Sequence, residues 1–269
     1  MPRPRARKST FPASVARSFE KALLKIIQQV AQEVLQRLER EVKPLLDKNA
    51  LILQSQGSPR LHGIGDELRA IFSRIRELLL RILPQGLAIK IATDINRSSQ
   101  SAADKDVSKQ IERAIGEKVS GVLFPTLRLR VTAEALVAET VRLIQDLPEE
   151  YVRRVERAVY DALERGIPYS ELAQQLSQEL DIAKNRATRI AIDQINRHYN
   201  WSAQVRYEEM GVKHFIFITA QDERVCPICQ PLNNTRHKVE NLRDFLPRHV
   251  NCRCSSIADP EELAGAFGF

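Results

Sequence analysis

Four cysteines and one histidine near the end of the chain have the residue types and spacing to hold a metal ion. They lie in "DERVCPICQPLNNTRHKVENLRDFLPRHVNCRC" (residues 222–254), which contains every cysteine of the 269-residue chain and two of its five histidines. Cys226 and Cys229 form a CxxC pair, and two thiolates three positions apart can turn towards one ion about 2.3 Å from each sulfur. His249, Cys252 and Cys254 follow after a further 19 residues. Tetrahedral zinc takes four ligands, so this set of five leaves one over. Three thiolates with the imidazole satisfy the ion as well as four thiolates do. Cys252 and Cys254 would face the same way in a regular strand, two residues' rise apart, so sharing an ion requires a turn of the backbone between them.

Other sulfur chemistries fit less well. A redox CxxC normally opens a helix that lowers the thiol pKa, whereas Pro227 and the following "QPLNN" offer a short turn. Disulfides belong to oxidising compartments, and "FPASVARSFEKALLK" interrupts with charge the apolar centre a secretory signal needs. A metal-dependent nuclease would want a second histidine beside "RHVNCRC", which has one histidine and one asparagine. Neither a Gly-rich phosphate loop nor a nucleophile elbow occurs. The residues therefore point to a structural Zn2+ held by four of Cys226, Cys229, His249, Cys252 and Cys254, with no catalytic group.

The elements that must position this cluster are mostly helical. Phe19, Leu23, Ile26, Ile27, Val30, Val34, Leu38 and Val42 recur at spacings of three and four, predicting a helix from Val15 to about Leu46, with Pro44 ending or kinking it. "ILQSQGSPRLHGIGD" reads as turn material, followed by a helix from Asp66 to Leu83 that "LPQG" stops. After "GLAIKIATDINRSSQSAADKDVSKQIERAIG" comes an ambiguous piece, "VSGVLFPTLRLRVTAEALVAETVRLIQDLP", in which Thr132 could cap a helix with the body "AEALVAETVRLI". "PEEYVRRVERAVYDALERG" predicts a separate helix with Pro148 in its first turn and Gly166 past its end. Ser170 offers a hydroxyl cap to "YSELAQQLSQEL".

The last helix before the cysteines ends at Gly211 and carries Arg189, Asp193, Asn196 and Asn200 at spacings of four, three and four, a polar line on one side. Asparagine competes with the helical backbone for hydrogen bonds, so Asn196 and Asn200 are expected to bond to a neighbouring loop. Arg189 is expected to pair with Asp222 or Glu223, which suit a tight turn. "VKHFIFITA" alternates Phe215 and Phe217 against Ile216 and Ile218 and predicts a short covered strand. An unpaired strand edge needs a partner, for which "TRHKV" is the candidate.

Charge is unevenly spread within the net +7: residues 1–86 carry 16 Lys or Arg against 8 Asp or Glu, and the remainder 25 against 26. A local excess of this kind suits phosphate, so Arg3, Arg5, Arg7 and Lys8 are candidate nucleic-acid contacts. No apolar run of membrane-spanning length occurs, and no membrane partner is expected.

"YSELAQQL", "RATRIAIDQINRHYN", "YEEMGVKHFIFITAQDERVCPICQPLNN" and "LPRHVNCRCSSI" resemble the phage Mu F-like head morphogenesis family, the minor head proteins of tailed bacteriophages. The family's helix arginine, its T-x-x-D-x-R-V segment and its P-x-H-x-x-C-R-C ending correspond to Arg189, to Thr219, Asp222, Arg224 and Val225, and to Pro247, His249, Cys252, Arg253 and Cys254. Many members carry Arg and His where this chain has Cys226 and Cys229. The resemblance implies a non-enzymatic minor capsid protein, working with the portal, with capsid or scaffold proteins and with double-stranded DNA. It would reside in the head interior or near the portal, and in the host cytoplasm during assembly. Alternative readings are a zinc-stabilised nucleic-acid-binding module and a metal-dependent nuclease.

The expected fold is mainly α: long amphipathic helices followed by a small α+β C-terminal module with a short β-hairpin and the Cys/His cluster. The expected organisation is a basic tail with long helices (1–86), a helical middle (87–168), the Mu F-like domain (169–257) and a short tail (258–269).

Overall fold

The computed structural model describes residues 10–56, 63–118 and 126–268. Arg3, Arg5, Arg7 and Lys8 lie outside them, as do residues 57–62 of the turn expected at 52–66 and the start of the ambiguous piece, 119–125; the flanking parts of that expected turn, to Gln56 and from Ile64, are helical. The chain forms α1 (Ala13–Arg37), α2 (Lys43–Gln56), α3 (Ile64–Ile82), α4 (Gln85–Ile115), α5 (Leu127–Arg165) and α6 (Tyr169–Glu209). A compact C-terminal part follows, with β1 (His214–Ile218), β2 (Arg236–Lys238), α7 (Leu242–Phe245), β3 (Ser255–Ala258) and α8 (Pro260–Ala266). The mainly α class with a small α+β ending is the one the sequence predicts. No helix among the described residues is long and apolar enough to cross a membrane.

The helices depart from expectation chiefly in length. A π-helical turn, Leu38–Val42, precedes Pro44, and the helix resumes as α2. The Lys43 amide reaches back to the Leu38 carbonyl, a widened turn of the kind that takes up an irregularity without ending a helix. Pro148 lies inside α5 rather than opening a new helix. An interior proline costs about 3 kcal/mol, but Ile144, Leu147, Tyr151, Val152 and Val155 form one buried stripe through it, and burying each such side chain returns about 1.5–3 kcal/mol. Thr132 is likewise interior, and the Thr126 hydroxyl caps α5 instead, accepting from the Leu129 amide at 3.2 Å. Ser170 is already helical; the Tyr169 amide at the start of α6 donates to Asp47 Oδ1 at 3.1 Å.

Two compact units are present, and they interleave in sequence instead of following the expected serial boundaries. Among the described residues, one comprises 20–56, 63–89 and 141–188; the other comprises 10–19, 90–118, 126–140 and 189–268. Among its described residues the first has only helices as regular structure. Its core is built from Leu23, Ile27, Val30, Val34, Leu38, Val42 and Leu46, from Leu68, Phe72 and Ile75, and from the α5 stripe.

The second unit holds the sheet. Strand order is β2-β1-β3, all antiparallel, with Phe215 opposite His237 on one side and Ala258 on the other. The hairpin partner is the expected one; β3 is an additional strand. Phe215 and Phe217 are buried and meet Phe245 edge-on, with ring centroids 6.0 and 5.6 Å apart. They join Val107 and Ile111 of α4, Tyr199 and Tyr207 of α6, and Leu242 and Leu263 in one cluster. The outer edge of β3 is not left bare. The Ser256 amide donates to Asn200 Oδ1 at 3.0 Å and the Ala258 amide to Gln110 Oε1 at 2.8 Å, so two side-chain carboxamides stand where a fourth strand would. Gly211, at φ 76°, terminates α6, with the Val212 amide bonded back to Tyr207 O. Residues expected as a tail instead form α8, capped by Asp259, which accepts from the Glu261 and Glu262 amides.

Candidate metal centre

The CxxC pair sits on a tight turn that follows β1. Asp222 opens this stretch: its Oδ1 accepts from the Arg224 amide and its carbonyl from the Val225 amide, both at 3.1 Å. The Cys229 and Gln230 amides then return to the Cys226 carbonyl at 3.1 and 3.0 Å, and the Cys229 amide also lies 3.3 Å from Cys226 Sγ. Thr219 steadies the turn from the other end, its amide and hydroxyl both donating to Asn233 Oδ1. Pro227 and Ile228 face outward, so the turn offers its sulfurs to the interior.

The second arm arrives through another turn. Asn251 takes the left-handed conformation (φ 64°), tolerable for asparagine, and the Cys252 amide bonds to the His249 carbonyl at 3.1 Å. His249 Nδ1 donates to the Val250 carbonyl at 2.8 Å. That bond fixes the tautomer and leaves the Nε2 lone pair directed at the thiols, 2.9 Å from Cys226 Sγ and 3.1 Å from Cys229 Sγ.

The five donors form two overlapping triangles. Cys226, Cys229 and His249 make one, and Cys229, Cys252 and Cys254 the other; within each, the ligand atoms lie within 4.8 Å of one another. Cys229 belongs to both. A small cleft beside them is lined by Cys226, Cys229, His249 and Cys254 with Arg224 and Arg253. The cysteines form no disulfide. The chemistry of the donor set, soft thiolates and one oriented imidazole, fits zinc.

Electrostatics favours partial ionisation. The Cys254 thiol donates to Cys252 and thereby lowers the Cys252 pKa, with the charge of His249 adding to the effect. The same bond raises Cys254, and burial raises Cys229. At Cys226, burial acts upwards but the Cys229 and Ile228 amides and His249 outweigh it, so its pKa falls. Burial would lower His249, yet the Val250 carbonyl and the Cys252 and Cys226 sulfurs raise it. Thiols and imidazole must all shed protons to bind metal, so occupancy weakens as pH falls.

The expected polar line on α6 divides by role. Asn196 and Asn200 are fully buried. Asn196 Nδ2 donates to the carbonyls of both Cys252 and Cys254 at 2.9 Å. Asp193 pairs with Arg197 at 2.9 Å, on its own helix. Arg189 is exposed, and Asp222 is taken by Arg253 instead, at 2.5 and 2.8 Å in a fork-to-fork pair that ties the first turn to the second. Arg224 is exposed at the cleft rim.

Sequence reading missed a buried polar system beside this centre. His198 bonds to Thr140 Oγ1 at 2.9 Å and Asn96 Oδ1 at 2.8 Å, and burial pushes its pKa down to about 4. Tyr199 donates to Asp106 at 2.9 Å, and Arg206 bonds to Asp104 at 2.9 Å. The one local signal was the i,i+4 pair of Asp106 and Gln110.

Fold and site together define a helical protein whose C-terminal α+β module closes around sulfur and imidazole donors. Residues 153–257 match the family model described as Phage Mu protein F like protein, so the resemblance seen in the sequence holds over that segment. An uncharacterized protein of Haemophilus influenzae is 28% identical over 155 residues, 56% of this chain and 35% of that relative; the chain thus spans about a third of its length. No solved structure matches.

Proposed function

We propose that the chain is a minor head-morphogenesis protein of a tailed bacteriophage or prophage, present in the head interior or beside the portal and assembled in the host cytoplasm. Its partners on this reading are the portal protein, capsid or scaffold proteins and double-stranded DNA. The match of residues 153–257 to the Mu F-like model carries it. The C-terminal module acts as a rigid docking piece that performs no turnover, closed by one structural zinc on Cys229 and three of Cys226, His249, Cys252 and Cys254. Bound zinc would supply cross-linking between the two turns, and the residues around it supply orientation.

Deleting the gene from the phage or prophage tests the role: the expected result is loss of infectious particles with coat protein still made. Normal infectious yield overturns it. Residues 1–86, with Arg3, Arg5, Arg7 and Lys8, favour a second reading as a zinc-stabilised nucleic-acid-binding module. Tight, sequence-dependent DNA binding would select that reading. The third, a metal-dependent nuclease, requires turnover of DNA with added Mg2+ or Zn2+.

A further inference from the structure

Two cysteines separated by one residue are awkward ligands for one ion. In a regular strand their Cα atoms, and the carbonyls that share a side, stand about 6.6 Å apart. Cys252 and Cys254 nevertheless bring both sulfurs within 4.8 Å of each other and of Cys229. The segment must therefore be held so that the two sulfurs converge.

Asn196 occupies that position. One nitrogen, Nδ2, reaches Cys252 O and Cys254 O at 2.9 Å each. Two acceptors that each lie 2.9 Å from one nitrogen stand at most twice that distance apart, closer than the roughly 6.6 Å at which an extended chain would place them. The amide cannot turn over to present its oxygen, because Asn196 Oδ1 accepts from Asn200 Nδ2 at 2.9 Å. Asn200 is fixed in turn: its Oδ1 accepts from the Ser256 amide at 3.0 Å and hydroxyl at 3.1 Å. Orientation thus passes from β3 through Asn200 to Asn196 and on to the two cysteine carbonyls. Both asparagines lie at 0% exposure, where water cannot replace a missing donor, and α6 gives them a rigid base.

We propose that Asn196, oriented by Asn200, is the positioning residue of the metal centre: it curls the Cys252–Cys254 segment so that both sulfurs can meet one ion. The inference rests on the metal-centre reading above. It assigns the asparagine pair to the spacing of ligands and not merely to packing of helix against loop.

The test titrates the reduced, metal-free full chain with Co2+ and Zn2+ against a chromophoric chelator, comparing wild type, N196A, N196L, N200A, C229A and, as a control on the same helix, S202A. N196A and N196L should saturate at one ion but bind it about 10–100-fold more weakly. Their cobalt complexes should lose thiolate-to-metal charge-transfer intensity as one of the two sulfurs withdraws. N200A should show a smaller loss, and S202A none; N200A decides the matter should both Asn196 variants fail to fold. Wild-type affinity and an unaltered cobalt spectrum in the folded variants would overturn the role of Asn196 alone. A wild-type chain that takes up no ion, or C229A that binds as well as wild type, would overturn the metal reading beneath it.

Discussion

The all-helical unit and the sulfur-centred module reach stability by different means. In the first, some twenty buried aliphatic and aromatic side chains share the work along α1, α2, α3 and the α5 stripe, and no single group is indispensable. In the second, an apolar cluster around Phe215 and Phe217 is joined by a few polar and sulfur groups, each with several partners: Asn196 holds two carbonyls, Cys229 joins two donor triangles, and Gln110 and Asn200 close a strand edge. In distributed packing, losing one side chain costs stability but leaves the other contacts in place. In concentrated bonding, losing one group releases several partners at once.

The sharpest way to break that contrast is Cys229→Ala. Because Cys229 is common to both triangles, the variant should lose its metal and show rapid amide exchange after Gly211, while the helices of the all-helical unit keep their protection. Metal analysis and hydrogen exchange on both forms check it; unchanged metal content would contradict the assignment. Phe72→Ala, in the other unit, should cost about 3–5 kcal/mol in denaturant unfolding yet leave metal stoichiometry unaltered. Loss of metal there would erase the distinction.

A third prediction concerns pH. His198 is buried and its folded pKa is lowered to about 4, below the ordinary 6.5. Between those values the unfolded chain binds more protons, so the contribution is intact above pH 6.5 and is lost as pH falls towards 4, by on the order of 3 kcal/mol. His198→Gln should flatten this part of the stability–pH curve relative to wild type. The smallest effect belongs to Asp222 and Arg253. Their pair is partly solvated, so a double-mutant cycle should give a coupling of about 0.2–1 kcal/mol.

What could be read in advance follows the same division. Spacings of three and four announced the helices, because each buries a stripe of its own residues. CxxC and H-x-x-C-x-C announced a group of sulfur and imidazole donors that the fold brings together, because close pairs of soft donors have few other uses. Pro148 misled, since the usual meaning of an interior proline is outweighed by the buried stripe on both sides of it. β3 left no trace: "SSIA" is short and small, and its outer edge is completed by Gln110 and Asn200 from far away in sequence. The His198 cluster was equally hidden, because Asn96 and Thr140 meet it only once three helices are packed.

The most direct test is the metal content of the full chain, purified reduced and without chelator, measured alongside amide exchange. One zinc per chain, with protection after Gly211 that disappears on chelation and returns on adding zinc, is the predicted result. A metal-free chain whose C-terminal amides are equally protected would contradict the account.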